Sequence, residues 1–419
     1  MRRSQHVTLL ALAAAASAWL TLGAVPSAAP RVAAVEAAAV PVSANGEYLI
    51  QFAPRAALRS QATQRMDAAG IELTRIAVNL PISLATLTPE EAAAVANTPG
   101  VVAVSPNSEF RATSTQPSPP SWGLDRSDQT DLPLDQSYSY STAAGAGTTI
   151  YIIDSGINAA HVEFTGRLLP GVVDPSLSGG IGDCFGHGTH VAGTAAGTTV
   201  GVAKLATIVP VRVLDCLGNG TASAVIRGID WVITNHTGGR AVANLSLGGI
   251  GNDAVDRAIE ALINDGVAVA VAAGNGNGQD ACNNTPARVD GALTVGATTD
   301  QDARSTFSDV GSCLDLFAPG SSIVSAWFGS PTITKAVSGT SMASPHVAGA
   351  LAVLWTDNPG LTATQVQQLL VATATPGRLT NIGNNSPNLL LYLEPPLAAI
   401  ASSADGGAPA ERCAFSPAC

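Results

Sequence analysis

Short apolar runs alternate with longer helix-like segments from about residue 121 to residue 395. The apolar runs are rich in β-branched residues, which is typical of strands buried on both faces of a parallel sheet: TIYIID, TIVPVRVLD, AVANLSL, GVAVAVAAG and GALTVGA. The segments between them predict helices: HGTHVAGTAAG, TASAVIRGIDWVITN, NDAVDRAIEALINDG, SMASPHVAGALAVLW and TATQVQQLLVATA. This alternation predicts an α/β domain with a parallel sheet, whose functional site lies at the carboxyl ends of the strands.

Residues 46–112 show a different pattern, which indicates a small separate unit. Strand-like and helix-like segments follow in the order β-α-β-β-α-β, the order of an α+β ferredoxin-like fold. The second helix has clear start signals, because Thr88 can cap it, Pro89 stands at its first position and acids follow. The next stretch, RATSTQPSPPSWG, is rich in Ser, Thr and Pro and predicts an exposed linker with a boundary near residues 112–120.

The N-terminus has the composition of an export signal. Arg2 and Arg3 precede a long apolar run, which small residues and a proline follow. A transmembrane anchor is the alternative, because the run is long enough to span a bilayer, but no basic stop-transfer cluster follows it. We therefore expect export to the extracellular space, with residues 1–30 as a cleaved signal peptide and no membrane contact after processing. Residues 396–419 form an Ala-, Ser- and Gly-rich C-terminal tail.

Composition narrows the class of protein. Apolar residues make up 46% of the 419 residues and charged residues 12%, which predicts a folded globular protein with a sizeable core. The net charge of −11 argues against nucleic-acid binding, which depends on Lys and Arg contacts to phosphates. Six cysteines in an exported chain indicate disulfides, although spacing alone does not fix their pairing. We expect a soluble monomer.

Three polar residues stand where strands end or helices begin. Asp154 closes the apolar run TIYIID, His187 lies between two glycines at a helix start, and Ser341 precedes another helix. Each alone has a simpler interpretation as a capping or turn residue. Together they can form a triad, in which Asp orients His and His takes the serine proton. A helix N-terminus also supplies N–H donors that favour negative charge beside Ser341.

The neighbouring serines and histidines fit this role less well. His346 follows Ser341 by five residues, which on a helix places it about 140° away around the axis, toward the core. His190 fits a packed helix residue, whereas Ser338 and Ser344 fit a turn and a first helical turn. The chain order Asp–His–Ser and the sequence Gly-Thr-Ser-Met-Ala exclude an α/β-hydrolase esterase, which has the order Ser–Asp–His and a GxSxG motif.

The segments IIDSGI, GHGTHVAGT and GTSMASPHVAG together resemble the subtilisin-like serine protease family, the subtilases, and are most similar to its proteinase K and aqualysin branch. The resemblance implies a three-layer subtilisin-like α/β fold with a mostly parallel central sheet over residues 113–395. It implies a secreted serine endopeptidase with Asp154, His187 and Ser341 as its triad. Residues 46–112 resemble the inhibitory propeptide of the family, which implies a zymogen that cleaves itself near residues 111–115.

The resemblance also implies how the chain binds protein and peptide substrates. Asn275, in the segment AAGN, matches the side chain that donates to the oxyanion. SLGG and LGNG match the two edges between which an extended peptide lies, and AAG lines the pocket for the residue before the cut. The implied substrate-binding residues are Ser246, Leu247, Gly248, Gly218, Gly220, Ala272, Ala273 and Gly274. Because the pocket residues are small and uncharged, we expect an apolar or aromatic preference with broad tolerance.

Two disulfides and structural calcium follow from the resemblance as well. It implies the pairs Cys184–Cys216 and Cys282–Cys313, whereas a Cys413–Cys419 pair in the tail lies outside it. One loop offers oxygen ligands for Ca²⁺ at Asp125, Asp128, Gln129, Asp135 and Ser137. A second site would use Asp315 with the carbonyls of Asp290 and Ala292. The alternative for both sites is a set of solvated loop acids.

Two other functions remain open from the sequence. A catalytically inactive binding module could keep the same fold, although the complete set of Asp154, His187, Ser341 and Asn275 argues against it. A membrane-anchored protease would retain the N-terminal apolar run. Labelling of Ser341 by a serine-directed fluorophosphonate tests the first alternative, and the N-terminus of the secreted protein tests the second.

Overall fold

The structure is a computed structural model that describes Ser43 and residues 46–107 and 113–394. The chain divides into two compact units, Met1–Glu109 and Phe110–Cys419. The predicted signal peptide, the segment 108–112 and the tail with Cys413 and Cys419 lie outside the described residues. Within the described ranges, every helix is too short or too polar to span a bilayer.

The first unit is a four-stranded antiparallel sheet with two helices. Its elements are β1 (Glu47–Phe52), α1 (Ala56–Ala68), β2 (Thr74–Arg75), β3 (Ile82–Thr86), α2 (Pro89–Ala96) and β4 (Val101–Pro106). The strand order β2-β3-β1-β4 confirms the predicted ferredoxin-like arrangement. The predicted cap of α2 is also present, because Thr88 Oγ1 accepts from the Glu91 N–H at 3.2 Å and Glu91 Oε2 accepts from the Thr88 N–H at 2.8 Å.

The second unit holds six α-helices and fifteen strands among the described residues. The helices are α3 (Trp122–Ser127), α4 (His187–Ala196), α5 (Ala222–Asn235), α6 (Asp253–Asn264), α7 (Thr340–Asp357) and α8 (Ala363–Thr373). The strands are β5 (Thr113–Pro117), β6 (Ser137–Ser141), β7 (Thr148–Asp154), β8 (Val172–Val173), β9 (Thr207–Arg212), β10 (Arg240–Leu245), β11 (Gly249–Ile250), β12 (Ala268–Ala272), β13 (Asn284–Thr285), β14 (Leu293–Thr298), β15 (Leu316–Pro319), β16 (Ile323–Ala326), β17 (Thr334–Val337), β18 (Thr375–Pro376) and β19 (Leu389–Leu390).

Nine of these strands form the central sheet, in the order β18-β19-β15-β14-β12-β10-β7-β9-β8. Every pairing in it is parallel except that of β18 with β19, which confirms the mostly parallel sheet predicted from the apolar runs. Three two-stranded antiparallel ribbons accompany it: β5 with β6, β11 with β13, and β16 with β17.

Helices cover both faces of this sheet, which gives the predicted three layers. Side chains alternate along β7, so that Ile150 and Ile152 join one hydrophobic cluster and Tyr151 and Ile153 join another. The first cluster includes residues of α4 and α7, and the second includes residues of α5 and α6. Because both faces are buried, the strands carry apolar residues at almost every position rather than at alternate ones.

The stretch predicted as an exposed linker contains a strand. Thr113–Pro117 forms β5 and pairs antiparallel with β6, from Thr113 opposite Ser141 to Pro117 opposite Ser137. The sequence prediction was wrong here because Ser- and Thr-rich chain is compatible with an edge strand, and only the distant partner segment decides the outcome.

Both disulfides predicted from the resemblance are present. Cys184 and Cys216 are bonded with their Cα atoms 4.9 Å apart, and Cys282 and Cys313 with theirs 5.4 Å apart. The first bond joins the loop that leads into α4 to the loop that follows β9, so it holds two segments that flank His187 and Gly218.

Candidate active site

A carboxylate and an imidazole meet at the carboxyl end of the central sheet. Asp154 is the last residue of β7 and is fully buried, and His187 is the first residue of α4. His187 Nδ1 lies 2.8 Å from Asp154 Oδ1 and 2.9 Å from Oδ2. The approach is close because Gly188 has no side chain: a Cβ there would lie 2.2 Å from the Gly156 carbonyl oxygen. The structure therefore brings together the two residues that the sequence placed 33 positions apart.

The burial of His187 and the charge of Asp154 shift the pKa of His187 in opposite directions. Burial lowers the pKa of His187, but the charge and hydrogen bond of Asp154, with a further contribution from Asp183, raise it above 6.5 overall. The side chain of His187 is 19% exposed, so one edge of the ring remains accessible. A ring held at Nδ1 by a carboxylate presents Nε2 to a substrate or nucleophile.

Asp183 supports this pair and was missed from the sequence. Its Oδ1 accepts from the Ser155 hydroxyl at 3.0 Å and the Gly186 N–H at 2.8 Å, and its Oδ2 accepts from the Thr189 N–H at 3.0 Å. It thus ties the residue after Asp154 to the first turn of α4. Its position four residues before His187 was the available signal, but an acid in a Gly-rich loop is equally typical of an ordinary solvated turn.

Ser341 is the second residue of α7, at the N-terminal end predicted for it. Its Oγ donates to the Ser246 carbonyl at 3.1 Å, and Ser246 Oγ donates in turn to the Ser341 carbonyl at 2.8 Å. The second bond is possible because Pro345, inside α7, has no N–H to donate to the carbonyl four residues earlier. Pro345 therefore leaves the Ser341 carbonyl free to accept another hydrogen bond, and Ser246, in the segment that follows β10, donates it.

Asn275 is held with a defined side-chain orientation. Its Oδ1 accepts from both the N–H of Thr340 at 2.9 Å and the Thr340 hydroxyl at 3.1 Å. With the oxygen so engaged, the Nδ2 group is the one left to donate to a ligand. The Thr340 hydroxyl also accepts from the Gly274 N–H at 3.2 Å, so this fully buried residue links the nucleophile's helix to the asparagine's loop. Thr340 was not predicted from the sequence, although it adjoins Ser341.

The other polar residues of the SGTSMASPHVAGA segment lie outside this group. His346 is fully buried and its Nδ1 donates to the Met342 carbonyl at 2.8 Å, as expected for the core side of the helix. Ser344 donates to Asn244 Oδ1 at 2.8 Å inside the core, and Ser338 accepts from the Ser322 N–H. His190 is buried with its Nε2 beside the Ile323 carbonyl, which confirms a packed helix residue.

Two adjoining cavities flank these side chains. The first is lined by His187 and by two facing segments, residues 218–220 and 246–248. The second is lined by Asn275, Ser341 and the end of β12. All eight predicted substrate-binding residues stand in their walls: Gly218, Gly220, Ser246, Leu247 and Gly248 in the first, and Leu247, Gly248, Ala272, Ala273 and Gly274 in the second. The walls also contain residues that the sequence analysis missed: Phe185 in the first cavity, and Gln279, Asn284 and Asp309 in the second.

The loop predicted to bind calcium has a suitable ligand chemistry. Asp125 accepts from the N–H groups of Asp135 and Gln136, and Asp135 Oδ1 accepts from the Ser137 hydroxyl at 2.7 Å. Asp128 Oδ1 is buried and has no hydrogen-bond partner among the described residues. Burial raises the pKa of Asp128 to about 7, against the Ser139 N–H, and the charges of Asp135 and Asp125 add to it.

A cation would satisfy these groups, because carboxylates crowded in a partly buried loop repel one another. Gln129 Oε1 faces the Asp135 N–H at 3.2 Å and would complete an oxygen set. In the described part of the chain, however, no three acidic, histidine or cysteine side chains converge on one point, so amide, hydroxyl or water oxygens would have to contribute.

The second predicted calcium position also has oxygen ligands. Asp315 Oδ2 accepts from the Thr294 N–H at 2.7 Å. Burial raises the pKa of Asp315 to about 6, against this N–H, and the charge of Asp290 adds to the effect. Asp290 and Ala292 stand two residues apart, just before β14, so the two carbonyls named from the sequence lie on the same loop.

The protein has a parallel α/β fold, with an Asp–His pair and a serine at the start of a helix at the carboxyl end of its central sheet. This combination is typical of serine-type peptidases. Residues 145–390 of the chain match the model of a protein family described as "Subtilase family". The extracellular serine proteinase of Thermus sp. (strain Rt41A) is 50% identical over 336 residues, which are 80% of this chain and 81% of that protein. The chain belongs to the subtilase family and is a serine-type endopeptidase.

Further relatives agree with this assignment. The alkaline serine exoprotease A of Vibrio alginolyticus is 51% identical over 271 residues, which are 65% of this chain and 50% of that protein. Among solved structures, a cold adapted subtilisin-like serine proteinase superimposes with a TM-score of 0.62 and 50% identity, over 65% of this chain and 97% of that one.

Proposed function

We propose that the protein is a secreted endopeptidase that cleaves proteins and peptides through an acyl-enzyme formed on Ser341. The observation that carries the proposal is the pair of short contacts between His187 Nδ1 and the buried Asp154 carboxylate, at 2.8 and 2.9 Å. The names of two relatives, an extracellular serine proteinase and an alkaline serine exoprotease, support a serine protease, and the first also supports secretion.

In the proposed reaction Asp154 keeps the proton of His187 on Nδ1, and Nε2 takes the proton of Ser341 as Oγ attacks the substrate carbonyl. The Ser341 hydroxyl first leaves the Ser246 carbonyl, a rotation about one side-chain bond. Asn275 Nδ2 donates to the developing oxyanion, a contribution of about 3 kcal/mol to the barrier. His187 then gives the proton to the leaving amine, and water hydrolyses the acyl-enzyme by the same steps.

An extended substrate would lie between the edges at residues 218–220 and 246–248, with its backbone completing a short sheet. The side chain before the cut would enter the second cavity, against Ala272, Ala273 and Gly274. These walls favour apolar or aromatic side chains. The facing edges contact backbone rather than particular side chains, which fits an endopeptidase with broad tolerance.

The first unit would serve as an intramolecular inhibitor, removed by self-cleavage near residues 111–115, part of which lies outside the described residues. The test is the processing of a Ser341→Ala variant in a protease-deficient host. The variant should accumulate as a precursor that retains residues 46–112. Maturation of the variant to the wild-type size would exclude self-processing.

Active-site titration tests the catalytic proposal itself. A fluorophosphonate should label the mature wild-type protein once, on the peptide containing Ser341, and should leave Ser341→Ala unlabelled. Labelling that persists in the variant would place the nucleophile elsewhere. A wild-type protein that is folded but neither labelled nor active would instead be a binding module on a subtilase fold.

We also propose that structural Ca²⁺ binds the loop of Asp125, Asp128, Gln129, Asp135 and Ser137, and that a second ion binds Asp315 and the carbonyls of Asp290 and Ala292. The support is the partnerless buried Asp128 Oδ1. Chelation should lower the unfolding temperature of the Ser341→Ala protein, and added Ca²⁺ should restore it. The Asp128→Asn variant should lose part of this dependence. A melting temperature insensitive to chelator would contradict the proposal.

A further inference from the structure

A buried carboxylate lines the cavity beside Ser341. Asp309, after β14, is 2% exposed and lines this cavity together with Asn284, at the start of β13. Its Oδ1 accepts from the N–H groups of Gly276 at 2.8 Å and Gln279 at 3.0 Å, so the side chain has a fixed orientation. Asp309 therefore packs against the loop that carries Asn275, although it is 34 residues further along the chain.

The other carboxylate oxygen points to the cavity wall at Gly274. Asp309 Oδ2 lies 2.4 Å from the position that a Cβ on Gly274 would take, and Asn284 Nδ2 lies 3.7 Å from the same position. Since Gly274 has no side chain, nothing at this residue covers the two polar groups. The lining of the second cavity thus combines the small apolar residues Ala272 and Ala273 with the polar side chains of Asn284 and Asp309.

No cation neutralises this carboxylate within the described residues. The charge of Arg304 acts on Asp309, but its guanidinium donates to the carbonyls of Ser308 at 2.6 Å and Asn381 at 2.8 Å, and it forms no ion pair with Asp309. Burial raises the pKa of Asp309, whereas the N–H groups of Gln279, Gly276 and Gly278 and the charge of Arg304 favour its ionised form. A buried carboxylate that has no paired cation gains from a ligand cation more than an exposed one would.

We propose that Asp309, assisted by Asn284, extends the specificity of this endopeptidase to lysine and arginine immediately before the scissile bond. The inference rests on the proposed function, because it takes the second cavity as the pocket for that residue. A long cationic side chain would lay its methylene groups along Ala272 and Ala273 and bring its charged head to Asp309 Oδ2. Apolar side chains would use the same walls without the charged contact, so both kinds of substrate are cleaved.

The test compares peptides that differ only before the scissile bond: lysine, arginine, and norleucine as the uncharged counterpart of lysine. The wild-type enzyme should cleave all three. In Asp309→Asn the carboxamide oxygen can still accept from Gly276 and Gln279, but the charge is gone. The ratio of kcat/KM for lysine over norleucine should fall about tenfold to a hundredfold in this variant.

Asp280→Asn is the matched control. It removes a carboxylate of the same loop region that caps Ala281–Asn283 and does not line the cavity, and it should leave the ratio unchanged. An equal fall in Asp280→Asn, an unchanged ratio in Asp309→Asn, or a parallel loss on lysine and norleucine would each overturn the inference. Failure of the wild-type enzyme to cleave lysine and arginine peptides would overturn it too. If no peptide of any kind were cleaved, or if Ser341→Ala cleaved them all, the proposed function would fail instead.

Discussion

Thr340 joins two parts of the candidate site through a single hydroxyl. It donates to Asn275 Oδ1 at 3.1 Å and accepts from the Gly274 N–H at 3.2 Å. In Thr340→Val the shape is retained but both hydroxyl bonds are lost, so that Asn275 Oδ1 keeps only the N–H of residue 340 as a donor and the amide is less firmly oriented toward the oxyanion. We expect kcat to fall about tenfold with little change in KM, because the hydrogen bond from Asn275 Nδ2 to the oxyanion forms in the transition state.

Steady-state kinetics on one peptide measures this effect, and Thr340→Ser is the control, since it keeps the hydroxyl and should retain most activity. A fall in kcat of similar size in Thr340→Ser would point to packing at this buried position rather than to orientation of Asn275.

The pH dependence of activity follows from the environment of His187. As a general base the ring must be neutral, and Asp154 outweighs burial so that its pKa stands above 6.5. Activity should therefore be full well above this pKa and should be lost as pH falls through it. A profile of kcat/KM against pH should show an acidic limb with an apparent pKa above 6.5.

Two variants separate the contributions to this limb. Asp154→Asn should lower kcat by about 10⁴-fold, because the carboxylate that orients the ring is lost. Asp183→Asn should retain much more activity, because the Asp154–His187 pair stays intact. It should shift the acidic limb to lower pH, because the charge of Asp183 contributes to the raised pKa of His187. An acidic limb that stays in place in Asp183→Asn would show that this second carboxylate has no influence on His187.

At the scale of elements, the sequence was a good guide wherever local pattern decides the structure. Runs of apolar residues predicted the parallel strands, and β7 ends at Asp154 as the pattern indicated. The linker prediction for Thr113–Pro117 was wrong because the partner strand β6 lies across a loop, and no local signal marks that pairing. Asp309 was missed for the same reason, because it reaches the loop of Asn275 only through the fold.

The disulfide Cys184–Cys216 offers a prediction about the elements around the cleft. It closes a loop of 32 residues between the segment before α4 and the segment after β9. Loss of the bond should destabilise the protein by about 3–4 kcal/mol through the entropy of the unfolded chain. Denaturant unfolding of Cys184→Ser/Cys216→Ser, in the Ser341→Ala background to prevent autolysis, measures the loss.

The second disulfide is a matched control, because Cys282–Cys313 closes a loop of almost the same length, 31 residues. The two double variants should lose similar stability if chain entropy dominates. A loss confined to one of them would show that local contacts matter more. Arg212 is a candidate for such a contact, since its Nη2 lies 3.2 Å from Cys184 Sγ.

At the scale of the whole second unit, one buried ion pair connects distant parts of the chain. Arg126 in α3 is fully buried, and its Nε donates to Asp302 Oδ1 at 2.7 Å and its Nη2 to Oδ2 at 3.0 Å. The pair spans 176 residues, and the same guanidinium donates to the carbonyls of Gln129 and Thr130 in the proposed calcium loop. It therefore fixes α3, near the start of the unit, against the loop that follows β14.

Breaking this pair should cost far more than breaking an exposed one. Arg126→Met leaves the Asp302 carboxylate buried without a partner, and we expect a loss of about 3–5 kcal/mol. The pair Asp131–Arg378 is the internal comparison, with its atoms also 2.7 Å apart but its side chains 57% and 48% exposed. Asp131→Asn should cost less than about 1 kcal/mol.

Denaturant midpoints of both variants in the Ser341→Ala background measure the contrast, and adding Asp302→Asn to Arg126→Met should recover part of the loss. Asparagine suits that position because Asp302 has a φ of +53°, which most other residues disfavour. Recovery is expected because the double variant no longer buries an unpaired charge. If the double variant is no more stable than Arg126→Met, the cost arises from lost packing and lost bonds to the calcium loop, and the ion pair itself contributes little.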